Sequence, residues 1–324
     1  MKKRKHIKWL ATGGVLVLVG LTVFLNRAWI NDWWRGMAYQ PSAEMMRIRE
    51  ELGLTERAKF LFNAVQPELN DREDFNAKCR SELDTEMAVL GCYRDGNVYV
   101  FDITDDELAG IRELTTGHEL LHAVWARMDD SEKEKLGPVL NQVFEANRDL
   151  LEEELSEYGS NEKQEELYVR VGTEIKNLPA ELEQHYAGIF ENQDKIVDFY
   201  ESYIGVFREI KTEMEGLMAE IEQLKVEIET KTSEYESRLG QLNAKITSFN
   251  SCAEVSGCFK SEGEFNARRR TLVVEQEALM SMYNELNSLV SEYNGLVEKY
   301  NADVMHAQKL NSIVNSSDKP GAVE

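Results

Sequence analysis

At 324 residues, with 30% charged and 9% aromatic residues, the chain has the composition of folded protein and room for one or two domains, which excludes a wholly disordered segment. Its formal net charge is −22; five basic residues fall in the first eight positions, so the remainder sets 32 basic against 59 acidic residues, a balance of −27. So acidic a body argues against nucleic acid as a partner, while its excess of Glu reads as solvated helix surface before it reads as a taste for basic substrates.

Lys2, Lys3, Arg4, Lys5 and Lys8 precede an uncharged run from Trp9 to Leu25, and Trp29, Trp33 and Trp34 follow it. This order predicts a basic cytoplasmic tail and transmembrane anchor over residues 1–35, with an aromatic belt. The run is short for a hydrocarbon layer of about 30 Å, but Asn26 and Arg27 can snorkel and extend it toward Ile30. A cleaved signal peptide shares the pattern, although Asn26-Arg27-Ala28-Trp29-Ile30 is poor cleavage chemistry. The positive-inside rule leaves the N-terminus in the cytoplasm and the rest of a single-pass protein outside it.

Pro41 to Pro67 reads as helix broken near Gly53, with Met45, Ile48, Leu52, Phe60 and Leu61 as apolar positions. The four cysteines form two close pairs. Disulfides Cys79–Cys92 and Cys252–Cys258 are the simplest of three connectivities outside the cytoplasm, against reduced thiols inside it. Gly91 to Thr104 alternates Val98, Val100 and Ile103 with Tyr99 and Phe101 between turn signals at Asp95-Gly96 and Asp105-Asp106, which predicts a strand or hairpin. The same strand could pair with an extended peptide by strand addition, or lie inside a sheet with no such role.

Thr104 to Glu107 supplies a capping residue and first-turn acids for a helix running through His118 to about Met128. A second helix follows Ser131 and ends before Gly159. A third spans about Asn161 to Lys176, and a fourth starts at Ala180 after Leu178-Pro179. From Tyr203 the spacing becomes heptad: Phe207, Ile210, Met214, Leu217, Ile221, Leu224 and Ile228, then a stutter near Lys231 and Thr232, then Tyr235, Leu239, Leu242, Ile246 and Phe249. Leu279, Tyr283, Leu286, Val290, Tyr293, Val297, Tyr300 and Val304 repeat it. Two helices of similar length joined near residues 250–264 predict an antiparallel coiled-coil hairpin over residues 196–312, with intermolecular coiling as the alternative. The hairpin offers a surface for a protein partner of the envelope, and residues 313–324 read as a flexible tail.

The chemistry centres on His118-Glu119-Leu120-Leu121-His122. Two imidazoles at i and i+4 share a helix face and can bind one Zn²⁺, while Glu119 reaches a water on the open position. The competing reading is a surface helix whose histidines face solvent. No further histidine follows at a ligand spacing, so a carboxylate is expected as third ligand: Glu166 first, Glu174 second and Glu162 third.

This pattern resembles the gluzincin zinc metallopeptidases, in which a helix downstream of HExxH supplies a glutamate ligand. The stretch from Glu166-Leu167-Tyr168 to Gly172-Thr173-Glu174, followed by Leu178-Pro179-Ala180-Glu181, also looks like a set of bacterial predicted metallopeptidases. There an asparagine usually precedes the glutamate, where this chain has Glu165. The resemblance covers about Gly91 to Phe190. It implies a mainly helical α+β fold, with a small zincin-like domain over residues 36–195 holding a short sheet, an active-site helix and a glutamate helix. It further implies that His118, His122 and Glu166 bind zinc, that Glu119 acts as base and then acid on a peptide or protein substrate, and that Tyr168, His185 or Tyr186 is an oxyanion donor. A membrane-anchored, extracytoplasmic zinc endopeptidase is the leading expectation; a non-enzymatic coiled-coil tether with a vestigial or structural zinc site is the alternative.

Overall fold

The structure, a computed structural model, describes residues 27–79, 90–156 and 158–316. The expected membrane span lies outside these residues, and no helix among the described ones is long and apolar enough to cross a membrane. Helix α1 (Arg27–Ala38) carries all three tryptophans of the expected belt.

Helices α2 (Ala43–Glu51) and α3 (Glu56–Val65) form the broken helix read from the sequence. Ser42 and Thr55 cap them by accepting from the N–H groups of Met45 and Ala58. Between them Gly53 adopts φ +58°, a left-handed conformation that glycine takes without steric cost. Strand β1 (Glu68–Asn70) and helix α4 (Arg72–Cys79) follow. Strand β1 is not legible in the sequence, because three residues are too few for an alternation, and the eight residues of α4 hold too few apolar positions to show a helical period.

Strands β2 (Gly91–Arg94) and β3 (Asn97–Phe101) form the expected hairpin. Asp95 and Gly96 both have positive φ, as a two-residue turn of matching twist requires. The sheet order is β1-β3-β2, with β1 parallel and β2 antiparallel to β3. The Val98-to-Phe101 strand is therefore internal, which corrects its reading as a substrate edge. The disulfide Cys79–Cys92 ties α4 to β2.

The helix expected from Thr104 starts later. Asp105 caps only a single 3₁₀ turn, Asp106–Leu108, and α5 (Ile111–Trp125) begins after Gly110 at φ +93°. Helices α6 (Asp130–Ala146), α7 (Arg148–Leu155), α8 (Ser160–Glu174) and α9 (Ala180–Tyr186) follow. The expected second helix is thus two, and α6 opens with a capping box between Asp129 and Glu132.

Helix α5 is the centre of this unit: it packs against β2 and β3 and against α8. Leu120 and Leu121 are fully buried, in one core with Val98, Val169, Val171 and Phe190.

The long helices α10 (Asp194–Ala253) and α11 (Glu262–Val314) complete the chain. Two compact units emerge, one ending at Val206 and resuming at Leu310, the other spanning Phe207–Lys309. The boundary expected at residue 195 moves because Ile196 and Val197 are buried and Gln193 Nε2 donates to the carbonyls of Gly172 and Ile175, 3.0 Å each. The tail expected from residue 313 is also corrected at its start. Val314 and Ser316 are buried, and Arg72 donates to the carbonyls of Ser312 and Asn315; residues 317–324 lie outside the described ones.

In the second unit, Lys231 pairs with Glu285, Tyr235 with Tyr283 and Lys245 with Glu275. One number rises as the other falls, so the helices run antiparallel. Phe207, Met214, Ile221, Ile228, Tyr235, Leu242 and Phe249 recur every seven residues without interruption, so no stutter breaks the helix. The change lies in the companion position, where Lys231 and Lys245 reach across to acids. On α11, Met282 and Leu289 are more buried than the expected Tyr283 and Val290. Adjacent apolar residues made either choice fit the spacing. Cys252–Cys258 closes the tip, beside mutually packed Phe249, Phe259 and Phe265.

Gly172 sets the approach of α8 to α5, since a β-carbon there would lie 2.6 Å from both Leu121 Cδ1 and Tyr186 Cε1. Overpacking of this kind costs about 1–3 kcal/mol, against the ~1 kcal/mol that alanine gains in a helix. Gly172→Ala is expected to lower stability by roughly 1 kcal/mol, read as a reduced denaturation midpoint; an unchanged or raised midpoint would show that the contact is slack.

Candidate metal centre

Helix α5 carries His118 and His122 on one face, one turn apart, with ring centroids 5.1 Å from each other. Helix α8 brings Glu166 to both: its Oε1 lies 3.8 Å from His118 Nε2 and its Oε2 lies 3.4 Å from His122 Nε2. The ligating atoms of the three side chains all lie within 4.8 Å of one another, so His118, His122 and Glu166 could hold one metal ion. Two imidazoles and a carboxylate are a donor set suited to zinc. The Glu166 side chain is only 4% exposed, whereas those of His118 and His122 are 22% and 19% exposed, so the cluster meets solvent on its histidine side.

Two residues that the sequence reading did not assign hold this arrangement. Glu165 Oε1 lies 2.9 Å from His122 Nδ1, so the carboxylate that departs from the asparagine of the resembling proteins orients a candidate ligand through its far nitrogen. Arg170 Nε donates to Glu166 Oε1 at 2.7 Å, and the same guanidinium binds Glu174 at 3.0 Å and pairs with Glu154. The signal for Arg170 was its i+4 spacing from Glu166 and i−4 spacing from Glu174. Glu174 accordingly faces Arg170 and not the histidines, two turns from Glu166.

The charges follow from these contacts. Burial pushes His118 down to about 3, against the pull of Glu166. Burial acts the same way on His122, but hydrogen bonds to Glu165 and Glu166 outweigh it and hold that ring up to about 10. Imidazole binds metal only in its neutral form, so metal uptake displaces the His122 proton. Burial works to raise Glu166, yet the neighbouring histidines hold it below the ordinary glutamate value. Burial prevails at Glu174, whose pKa is raised in spite of Arg170 and whose Oε2 has no hydrogen-bond partner.

Glu119 lies beside the cluster, buried at 6% exposure and pressed against β2: a β-carbon on Gly91 would sit 2.7 Å from Glu119 Oε1 and 2.6 Å from Thr115 Cγ2. Gly91 thus leaves the space that the carboxylate occupies. Nothing but a glycine at a strand end could have announced this in the sequence.

The three expected oxyanion donors sit elsewhere. Tyr168 is two residues past Glu166 and so projects from the other side of α8. It is fully buried against Trp125, with its hydroxyl 3.0 Å from His185 Nε2. The hydroxyl of Tyr186 donates to the Tyr168 carbonyl at 2.6 Å. Burial raises both phenols and lowers His185. Tyr168 and Tyr186 are buried and His185 is half-buried, and their polar groups bond within this trio.

No protein-family model, curated protein or solved structure matches this chain. None of the three comparisons therefore bears on the gluzincin resemblance.

Orienting partners of metal-bound histidine are worth about 10–100-fold in metal affinity. Glu165→Ala is expected to weaken Zn²⁺ binding by about that factor, measured by competition with a chelator, while Glu174→Ala leaves it within about threefold. The reverse order of effects would move the third ligand to Glu174.

Proposed function

We propose that this chain is a membrane-anchored zinc endopeptidase that hydrolyses peptide bonds of proteins outside the cytoplasm. The observation that carries the reading is the convergence of His118, His122 and Glu166 with Glu119 beside them, on a face open to solvent through the histidines. The two disulfides agree with an oxidising compartment.

His118, His122 and Glu166 would hold the ion, which when bound supplies Lewis acidity toward the peptide carbonyl and the attacking water. Glu119 takes a proton from that water and delivers it to the leaving amine, so one peptide bond and one water become a carboxylate and an amine. Gly91 leaves room for the Glu119 side chain on the sheet side, and Glu165 and Arg170 keep His122 and Glu166 from rotating away.

The edge strand β2 supports the peptide substrate. Its outer side pairs with no other described strand, and it begins at Gly91, in contact with Glu119. An extended peptide added to that edge would run past the general base.

A proton-transfer residue contributes about 10²–10⁴-fold to rate. In the purified full chain, Glu119→Gln should retain bound zinc and lose hydrolysis of an unfolded protein by about that factor, while Glu166→Ala should lose zinc and activity together. If the intact protein binds no zinc without chelator present, the peptidase reading fails. If it binds zinc but cleaves nothing that Glu119→Gln spares, the tether reading takes its place.

A further inference from the structure

Helix α1 is amphipathic in the reverse sense from a helix that belongs to a soluble core. Such a helix docks by its apolar stripe and turns polar residues to water. Here the polar side is docked. Arg35 donates from Nε to the Ala64 carbonyl at 2.8 Å, and from its terminal nitrogen to the Gly96 carbonyl at 2.9 Å and Asn97 Oδ1 at 2.7 Å. Asp32 receives both arms of Arg127, at 2.9 and 3.0 Å. Gly36 lies close against α3, where a β-carbon would stand 3.5 Å from Asn63 Cβ.

Trp29, Trp33 and Met37 recur every four residues with Trp34 next to them; Met37 and Trp34 lie away from the docked side, while Trp29 borders it, lining a cleft with Asp32, Leu61 and Arg127. Their exposures are 60% at Trp29, 38% at Trp33, 62% at Trp34 and 63% at Met37. Trp33 and Trp34 meet edge to face at 5.1 Å and cover each other only in part. Four large apolar side chains on twelve residues, held outward by one ion pair and by the hydrogen bonds of Arg35, form a built face.

We infer that this face lies in the headgroup layer of a phospholipid bilayer, so that α1 is a surface-lying membrane contact that fixes the orientation of the catalytic unit and does not merely continue the anchor. Two observations choose lipid over a protein partner. Three of the four residues are tryptophan, whose amphipathic ring favours the boundary between hydrocarbon and water. Trp29 also stands four residues after Leu25, the end of the uncharged run. Even fully extended, four residues reach at most about 14 Å, so Trp29 stays near the hydrocarbon edge and cannot stand far off in solvent. The inference rests on the proposed anchor for that distance.

Arg127 sits just beyond the end of α5, which carries His118, Glu119 and His122, and Gly96 and Asn97 belong to the β2–β3 hairpin that packs against α5, so the same contacts that display the tryptophans reach both elements. A peptide segment near the membrane surface is the substrate such a mounting serves.

The test uses the full chain with Trp9→Phe, reconstituted in phosphatidylcholine–phosphatidylglycerol vesicles, beside the same chain carrying Trp29→Ser, Trp33→Ser and Trp34→Ser. Buried Trp125 remains as a constant background in both. Flotation reads the anchor, and quenching by lipids brominated near the glycerol or near the chain ends reads α1. Both chains should float. The first should lose about half of its emission to the shallow bromines, more than to the deep ones, as interfacial tryptophan does; the triple-serine chain should lose almost none. A floating chain whose tryptophans escape both quenchers overturns the inference and leaves the anchor standing, with a second copy or another protein as the cover of α1. A chain that does not float overturns the anchor and this inference together.

Discussion

Everything at the candidate centre depends on how closely α8 can approach α5. The metal group is split between these two helices, and side chains of ordinary length bring Glu166 within 3.8 Å of His118 and 3.4 Å of His122 only because no β-carbon stands at Gly172. Leu121 and the ring of Tyr186 occupy that space instead. A second close approach repeats the logic on the far side of α5, where Gly117 faces Ile196 and Leu52. The helix that carries His118 and His122 is thus clamped between neighbours at glycine contacts. That explains why most of its residues are buried although it carries two histidines and four acidic or hydroxyl side chains.

The electrostatics of the centre follow from the same crowding. Glu119 and Glu166 are buried and the Glu174 side chain is 6% exposed, and Arg170 is the cation that the structure sets among the latter two. Removing one partner of a buried ion pair costs about 3–5 kcal/mol, so Arg170 is bound to its acids for structural reasons before any chemical one. Its geometry still has a chemical consequence. By engaging Oε1 of Glu166 it leaves Oε2 toward His122, and so selects the face that the carboxylate presents. Glu165 does the corresponding work on the other helix, holding His122 by Nδ1 and leaving Nε2 toward the cluster.

Long and periodic features were legible in the sequence: the helix carrying His118 and His122, the hairpin around Asp95-Gly96, the two disulfides and the pair of long helices. Each rests on local spacing, and spacing survives folding. Features that depend on a distant neighbour were not legible. Strand β1 exists because β3 offers it a parallel edge; Gly110 cuts the expected helix short because Phe199 packs where its β-carbon would stand. Tyr168, His185 and Tyr186 looked available by composition, but the side of α8 on which Tyr168 emerges, and the core beneath it, were decided by tertiary packing. The choice between Glu166 and Glu174 was of the same kind. Helical spacing separated them by two turns and could not say which end of α8 meets α5.

Where the chain departs from local rules, the departures fall around one set of elements. A consistent sequence buries apolar faces, and natural chains break that consistency mainly where function asks for it. The apolar face of α1 is turned outward, a glutamate stands at position 165 beside another glutamate, and Gly91 opens a strand that a β-branched residue would strengthen. In the folded chain these are neighbours through few intermediates. Tyr93 lies two residues from Gly91 on β2, and its hydroxyl accepts from Arg127, which also holds Asp32 of α1 and stands five residues past His122. A residue change at any of these points that improved local propensity would loosen a contact on which the helix carrying His118 and His122 depends, so the anomalies are coherent as parts of one mounting for α5.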